Sequence, residues 1–259
     1  MKIAVCLKQV PARDSVLRLD RASTWIAESD VRYEMNEPDS YALEEALRLR
    51  EKSPGEVIIC SLGPARARQT IKEALAKGAD RALHLDDPAF TELDAYGAAR
   101  CLAAALSRES PDLILTGLQS DDFGFAQTGV ILAEMMGVPH STIIMHVQVS
   151  PEGLRVKREL ESGWFQWIEM PLPALLTVQS GINKPRYATL RGIMAAKNKP
   201  LVKLTLPDLG LRTVDIAPRQ KITRLYPPPK RAETEFLEGT PREVAARLAD
   251  RLKNEARVL

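Results

Sequence analysis

The stretch DLILTGLQSDDFGFAQTG, residues 112–129, runs from an apolar segment into a loop rich in glycine, hydroxyl and acidic groups. Asp112 to Thr116 is apolar on both faces, as a strand inside a parallel sheet must be. The loop from Gly117 to Thr128 then opens a helix that Gly137 ends. In open α/β sheets ligands bind at the carboxyl ends of strands, where such loops sit. Glycine lets backbone approach a pyrophosphate closely, and Ser120, Gln127 and Thr128 offer neutral donors beside a helix dipole. On this reading a nucleotide phosphate is held without a lysine. The competing reading is a capped loop with Asp121 and Asp122 solvated. The same pair could attract magnesium, but adjacent carboxylates alone specify no coordination shell.

Working outward, Ile3 to Leu7 and Glu56 to Ser61 repeat the doubly apolar pattern, and Arg81 to Leu85 is a weaker relative. Amphipathic helices separate them. Pro38 to Lys52 places Ala42, Leu43, Ala46 and Leu47 on one stripe, and Ala67, Ile71, Ala74 and Leu75 do the same in the next. Gly63-Pro64 and Gly78 bracket that second helix. Strand and helix in alternation predict an α/β fold: a Rossmann-like parallel sheet flanked by helices. From about Val147 the period shortens. HVQVS, GLRVKREL, WFQWIEM and ALLTVQS read as antiparallel strands added to that sheet, with turns at 151–153 and 161–163. Beyond Asp208, Pro218 and Pro227-Pro228-Pro229 favour an extended arm. A last helix follows, with Thr240 as N-cap, Pro241 at its first position and Glu243 three residues after the cap. The division expected is an α/β domain over 1–207 and an arm with its helix over 208–259.

With 36 basic and 34 acidic residues, the net charge of +2 is too small to replace the counterions condensed on nucleic acid. No stretch approaches the roughly 18 uninterrupted apolar residues of a membrane helix, so no membrane insertion is expected. The amino-terminal run lacks a small-residue cleavage site and reads as a first strand. Cys6, Cys60 and Cys101 have neither disulfide nor zinc spacing, read as small buried hydrophobes and fit a reducing cytoplasm. No metal site is expected. His84, His140 and His146 lack partners for a catalytic triad, and no catalytic motif occurs.

Met35-Asn36-Glu37-Pro38-Asp39 opens a helix, so its amides and side chains converge where a phosphate or ribose could sit; alternatively Asn36 or Asp39 simply caps the helix. Trp164, Phe165 and Trp167 are read as packing residues of a strand rather than a stacking surface.

Several segments resemble the beta subunits of electron-transfer flavoproteins. They are VKREL at 156–160, LPALLTV at 172–178, and NKPRYATL at 183–190 with IMAAK at 193–197. VCLKQVP at 5–11, Asn36 to Asp39 with ALEEA at 42–46, and SLGP at 61–64 extend the resemblance over nearly the whole chain.

The resemblance implies an architecture of the adenine-nucleotide alpha-hydrolase type, with an arm that embraces an alpha subunit carrying most of the FAD site. It implies AMP in this subunit, against Cys6, Asn36, Glu37, Pro38, Asp39, Leu62 and Gly117. The site continues along the loop through Gln119, Ser120, Asp121, Asp122, Phe123, Gly124, Phe125, Ala126, Gln127 and Thr128. Leu190 matches an anchor leucine on a recognition loop (about 183–200) that enters a pocket on partner dehydrogenases, with Arg191, Ile193, Met194 and Lys197 around it and Arg186 and Lys199 as further basic neighbours. Glu159 matches a glutamate that steadies the alpha subunit's flavin domain, and Arg13 lies near a position that touches the flavin. Ala126 stands where some relatives have asparagine, and Arg191 where some have proline. The function implied is a non-catalytic carrier of electrons from acyl-CoA and related flavin dehydrogenases to a quinone-linked oxidoreductase. Three alternatives stay open: a beta subunit that binds a second FAD and bifurcates electrons, an ATP pyrophosphatase, whose S-G-G-x-D-S loop residues 8–14 lack, or a stand-alone nucleotide-sensing stress protein, which should lack the recognition segment and the long arm.

Overall fold

The computed structural model describes residues 1–228 and 234–258. They form two compact units, Met1–Thr223 and Arg224–Leu259. Pro229 of the triple proline lies outside the described residues.

The first unit is built on strands β1 (Lys2–Cys6), β2 (Gln9–Pro11), β3 (Tyr33–Met35), β4 (Glu56–Leu62), β5 (Arg81–Leu85), β6 (Leu113–Gly117), β7 (His140–Ser150), β8 (Gly153–Glu159), β9 (Phe165–Met170), β10 (Ala174–Val178) and β11 (Leu201–Leu204). Its helices are α1 (Glu37–Lys52), α2 (Arg68–Lys77), α3 (Ala95–Glu109), α4 (Thr128–Met136) and α5 (Leu190–Ala196). The main sheet has nine strands in the order β11-β5-β4-β1-β6-β10-β7-β8-β9, and β2 pairs with β3 in a separate ribbon. The strands from β11 to β7 pair in parallel; β8 and β9 add antiparallel. An α/β fold with a mixed sheet flanked by helices is therefore established.

Alternation along the central strands sorts the core into two layers. Ile3, Val5, Val57, Ile59, Leu113 and Leu115 face α1 and α2, and their neighbours Ala4, Cys6, Ile58, Cys60 and Ile114 face the layer that holds α3 and α4. The predicted stripe of α1, from Ala42 to Leu47, is fully buried. All the cysteines are free and buried.

ALLTVQS was expected among the antiparallel additions. Its core, β10, instead lies between β6 and β7, parallel to both and buried at every residue. The chain goes out to the sheet edge with β8 and β9 and then returns to the centre. An apolar pentapeptide is as good a central strand as an edge one, so local pattern did not place it. β7 pairs in parallel with β10 over its first half and antiparallel with β8 over its second. The register shifts near Ile143, whose φ of 59° is rare for a β-branched residue. β11 extends the opposite edge beside β5 and was not foreseen. Residues 208–223, assigned to the arm, pack within the first unit: Leu209 and Ile216 are buried, and the Asp94 carboxylate accepts from the backbone amides of Arg219 (2.7 Å) and Gln220 (3.0 Å).

Trp164, Phe165 and Trp167 are a second correction, for they do not pack inside. β9 is the sheet edge, and only Ile168 and Met170 of that strand turn toward the core cluster. Trp164 is 72% exposed. The outward rings are overlaid by cations, Lys157 Nζ at 3.7 Å from the Phe165 centroid and the Arg155 guanidinium at 4.7 Å from that of Trp167.

The second unit contains α6 (Pro241–Asn254). The Glu243 carboxylate accepts from the Thr240 amide (2.9 Å) and hydroxyl (2.8 Å), so the predicted start of this helix is where the sequence signals put it.

The placement of β10 and β9 makes opposite demands on two substitutions. Leu176→Ala, in the centre of the sheet, should destabilise by about 2–5 kcal/mol. Trp167→Ala, on the edge, should cost less than about 1 kcal/mol. Urea melts of the two variants check the contrast.

Candidate functional site

The carboxyl ends of β1, β4 and β6 meet where the chain leaves β1 toward β4 on one side and returns to β6 on the other, a topological switch point. Asn36 sits at the N-cap of α1 and Pro38 in its first turn. The Asn36 side chain makes no cap hydrogen bond. Its Nδ2 donates to the Gln119 carbonyl (2.9 Å) and its Oδ1 accepts from the Asp121 amide (2.9 Å). Asp39, buried, accepts from the Lys8 amide through Oδ2 (2.7 Å) and from the Gly117 amide through Oδ1 (2.9 Å). The simple capping reading therefore fails for both residues. They join α1 to the ends of β1 and β6 and to the loop beyond.

Gly117 allows this approach: a Cβ there would lie 2.3 Å from Asp39 Oδ1 and 2.7 Å from Pro38 Cβ. Gly129 plays the same part at the start of α4, where a Cβ would lie 2.7 Å from Thr177 Cγ2 and 2.8 Å from Thr116 Oγ1. Burial pushes the Asp39 carboxyl up to about 7, against the amides of Lys8 and Gly117 and the Asn36 side chain, which favour the anion. Burial likewise pushes the Cys6 thiol up to about 12, so Cys6 lines the site as a neutral group.

Lys8, which the sequence reading left out of the site, reaches the same loop. Its Nζ donates to Asp122 Oδ1 (2.7 Å) and Ser120 Oγ (3.3 Å) and lies 4.2 Å from the Phe123 ring centroid. A residue just past the end of the switch-point strand was the signal that could have found it. Asp121 and Asp122 are not a solvated pair: Asp122 holds Lys8, and Asp121 Oδ2 accepts from the Glu37 amide (3.3 Å) with Arg13 3.7 Å away. Each carboxylate is already engaged, and they turn to different partners.

Phe123 lies near Trp25 (centroids 5.5 Å apart) and Phe125 (5.6 Å, rings stacked nearly parallel), a contact with Trp25 that sequence reasoning missed. Gly124 and Ala126 both have positive φ, 64° and 54°. Asparagine tolerates that conformation better than alanine. Gln127 precedes α4 without capping it, so the first amides of that helix, from Thr128, lack a side-chain partner. Leu62 ends β4, half-buried against the α3 layer, with no polar link to the loop. Arg13 pairs with Glu37 and lines an open cleft of about 620 Å³ with Gln9, Tyr33 and Arg66.

The segment expected to be a recognition loop contains a helix, α5, capped by Thr189, whose hydroxyl accepts from the Gly192 amide (3.0 Å). Leu190 is 77% exposed, and Arg191, Ile193, Met194 and Lys197 are also exposed. Arg186 and Lys199 are drawn inward instead of surrounding the leucine. Glu159 ends β8 opposite Phe165, half-buried.

The sequence profile of the electron transfer flavoprotein domain matches residues 23–209. The electron transfer flavoprotein subunit beta of Methylophilus methylotrophus is 38% identical over 255 residues, covering 96% of each chain.

The chain belongs to the electron transfer flavoprotein beta-subunit family.

The Homo sapiens beta subunit is 35% identical over 243 residues, 93% of this chain and 94% of its own. A caffeyl-CoA reductase-Etf complex subunit, CarD, of Acetobacterium woodii is 35% identical over 262 residues, 98% of this chain and 99% of its own. As a member of this family the beta subunit is an electron carrier and not a catalyst of its own reaction. Family membership also brings flavin and nucleotide binding in general terms. Among the described residues no helix is long and apolar enough to cross a membrane.

Asp39 supplies the testable consequence. Its folded value of about 7 lies above the ordinary carboxyl value of 3.8, so between those limits the folded chain binds the extra proton. Its contribution to stability therefore falls as pH rises through that window and is flat above it. Relative to Asp39→Asn, the wild type should gain on the order of 2 kcal/mol between about pH 8 and pH 5. Denaturant melts at both pH values measure the difference.

Proposed function

We propose that this beta subunit pairs with an alpha subunit that carries FAD, and that its own switch-point crevice holds AMP as a structural element of a heterodimeric carrier. The carrier takes electrons from acyl-CoA and related flavin dehydrogenases and passes them to a quinone-linked oxidoreductase in the cytoplasm. The observation that carries the reading is the convergence at the switch point of Asn36, Asp39, Gly117, Gln119 and Asp121, every one of them on the expected adenylate site. The fold reading, a Rossmann-like sheet of the adenine-nucleotide alpha-hydrolase type, is supported by the same placement at the switch point.

The residues suit an adenylate. Lys8 and Ser120 bring a cation and a hydroxyl together, and the uncapped first turn of α4 offers amides to an anion. AMP there supplies no redox chemistry; it fills and braces the crevice, while FAD in the alpha subunit supplies the electron transfer. Arg13, in its open cleft, is available to the flavin side, and Glu159 to the flavin domain. Leu190, with Arg191, Ile193, Met194 and Lys197, is the docking surface. Burying one leucine gives roughly 1.5–3 kcal/mol, enough to orient a transient complex that must also dissociate. The segment beyond Thr223, with α6, packs on the alpha subunit.

Co-production with the large subunit followed by acid extraction should release AMP and FAD in equal amounts. FAD alone, at two per heterodimer, would assign the crevice to a second flavin, and FAD at one with no AMP would leave the crevice without its nucleotide.

Leu190→Ala should leave both nucleotides bound and raise the KM for a partner dehydrogenase roughly ten- to hundredfold. A KM equal to that of the wild type removes the docking assignment.

A further inference from the structure

The short helix that displays Leu190 does not hold its own position. α5 has seven residues and buries none of them, and a helix of that length is marginal in isolation. Its placement comes from the close approach of Gly192 to α2 and from the segments on either side.

On the carboxyl side, Lys199 Nζ donates to the carbonyls of Leu75 (2.9 Å) and Ala79 (2.6 Å) at the end of α2. In the middle, Gly192 lies directly on α2, since a Cβ there would be 2.1 Å from the Ala76 carbonyl oxygen. On the amino side the attachment is to α1. Asn183 Nδ2 donates to the Tyr41 carbonyl and to Glu45 Oε2, both at 3.0 Å. Arg186 then makes the densest set of bonds in the segment. Its backbone amide (3.1 Å) and Nε (2.8 Å) donate to Glu44 Oε2, and Nη2 donates to Glu44 Oε1 (3.1 Å). Nη1 and Nη2 also reach Glu51, at 2.5 and 3.2 Å.

Glu44 is only 4% exposed, and a buried carboxylate must be paired. Burial alone would raise its carboxyl; the bonds from Arg186 and Arg48 reverse this and hold it below the ordinary range. Arg48 joins the same group, donating to Glu44 Oε1 (2.7 Å) and to the Lys184 carbonyl (3.3 Å). A planar guanidinium can satisfy two carboxylates from fixed directions, which a lysine ammonium cannot.

We propose that Arg186, four residues before Leu190, is a positioning residue for docking: by clamping to Glu44 and Glu51 it fixes the segment on α1 so that the leucine is presented already ordered. This rests on the reading of Leu190 as the docking residue. The conformational cost of ordering the segment is met when the chain folds and not when a partner arrives, which raises affinity without adding contact area. Arg186 itself need touch no partner.

The test uses the assembled heterodimer, with reduction by a saturable partner dehydrogenase as readout, on Arg186→Ala, Arg186→Lys, Leu190→Ala and the Arg186→Ala/Leu190→Ala double variant. Arg186→Ala should raise KM about tenfold, corresponding to about 1.4 kcal/mol, with kcat and bound nucleotide unchanged. Arg186→Lys should recover only part of the loss, and the double variant should be no worse than Leu190→Ala. A wild-type KM for Arg186→Ala beside an impaired Leu190→Ala overturns the positioning role and leaves the docking reading standing. Full multiplication of the two KM effects overturns it as well, because the arginine would then act independently of the leucine. A wild-type KM for Leu190→Ala withdraws the docking reading and this proposal together. If Arg186→Ala fails to assemble, Glu51→Gln replaces it: a several-fold rise in KM supports the clamp, and a wild-type value overturns it.

Discussion

The Asp39 carboxylate, shut away from solvent between the amides of Lys8 and Gly117, is the constraint around which the upper end of the sheet is arranged. Two strands that are neighbours in the sheet, β1 and β6, send their chains in different directions after their last residues, and one side chain from α1 holds both departures. That requires the glycine at 117, because a methyl group there would overlap the carboxylate oxygen. It also requires the start of α1 to forgo ordinary capping: Asn36 is committed to the loop after β6, and the Glu37 amide takes Asp121 instead. Polar groups buried in this way stabilise only when all are satisfied.

The helix that begins there also holds Asn183 and Arg186 along its body, through the Tyr41 carbonyl, Glu44, Glu45 and Glu51. One rigid element thus carries the proposed adenylate crevice at its amino end and the proposed partner surface on its flank. In α1 the core stripe of alanine and leucine settles the packing of one side, which leaves the rest of the helix for both tasks.

Much of this was legible in the chain. Doubly apolar pentapeptides gave the central strands, glycine and proline gave the helix ends, and the composition of the loop after β6 marked it as a candidate site. What was not legible depended on partners far away in sequence. ALLTV is a central strand only because the chain crosses back from the edge, and nothing inside those residues says so. Trp164 and Trp167 have the pattern of packed aromatics, yet the sheet stops at their strand, where Trp164 is exposed and Trp167 is overlaid by the Arg155 guanidinium. Lys8 and Arg186 were quoted within motifs, but their roles lie in contacts to residues more than a hundred positions distant. The arm lost its first residues to the main unit because Asp94, on the far side of the sequence, binds their backbone amides.

The interior cysteines carry a consequence for a molecule whose business is passing electrons. Cys6, Cys60 and Cys101 share one layer of the core, and burial raises every one of those thiols far above neutrality. Sulfur becomes reactive as thiolate and through exposure, and these side chains have neither. Oxidants or alkylating agents at the folded surface find no cysteine thiol to modify. The beta subunit is in this respect a chemical insulator, its thiols kept out of the circuit that an electron carrier serves.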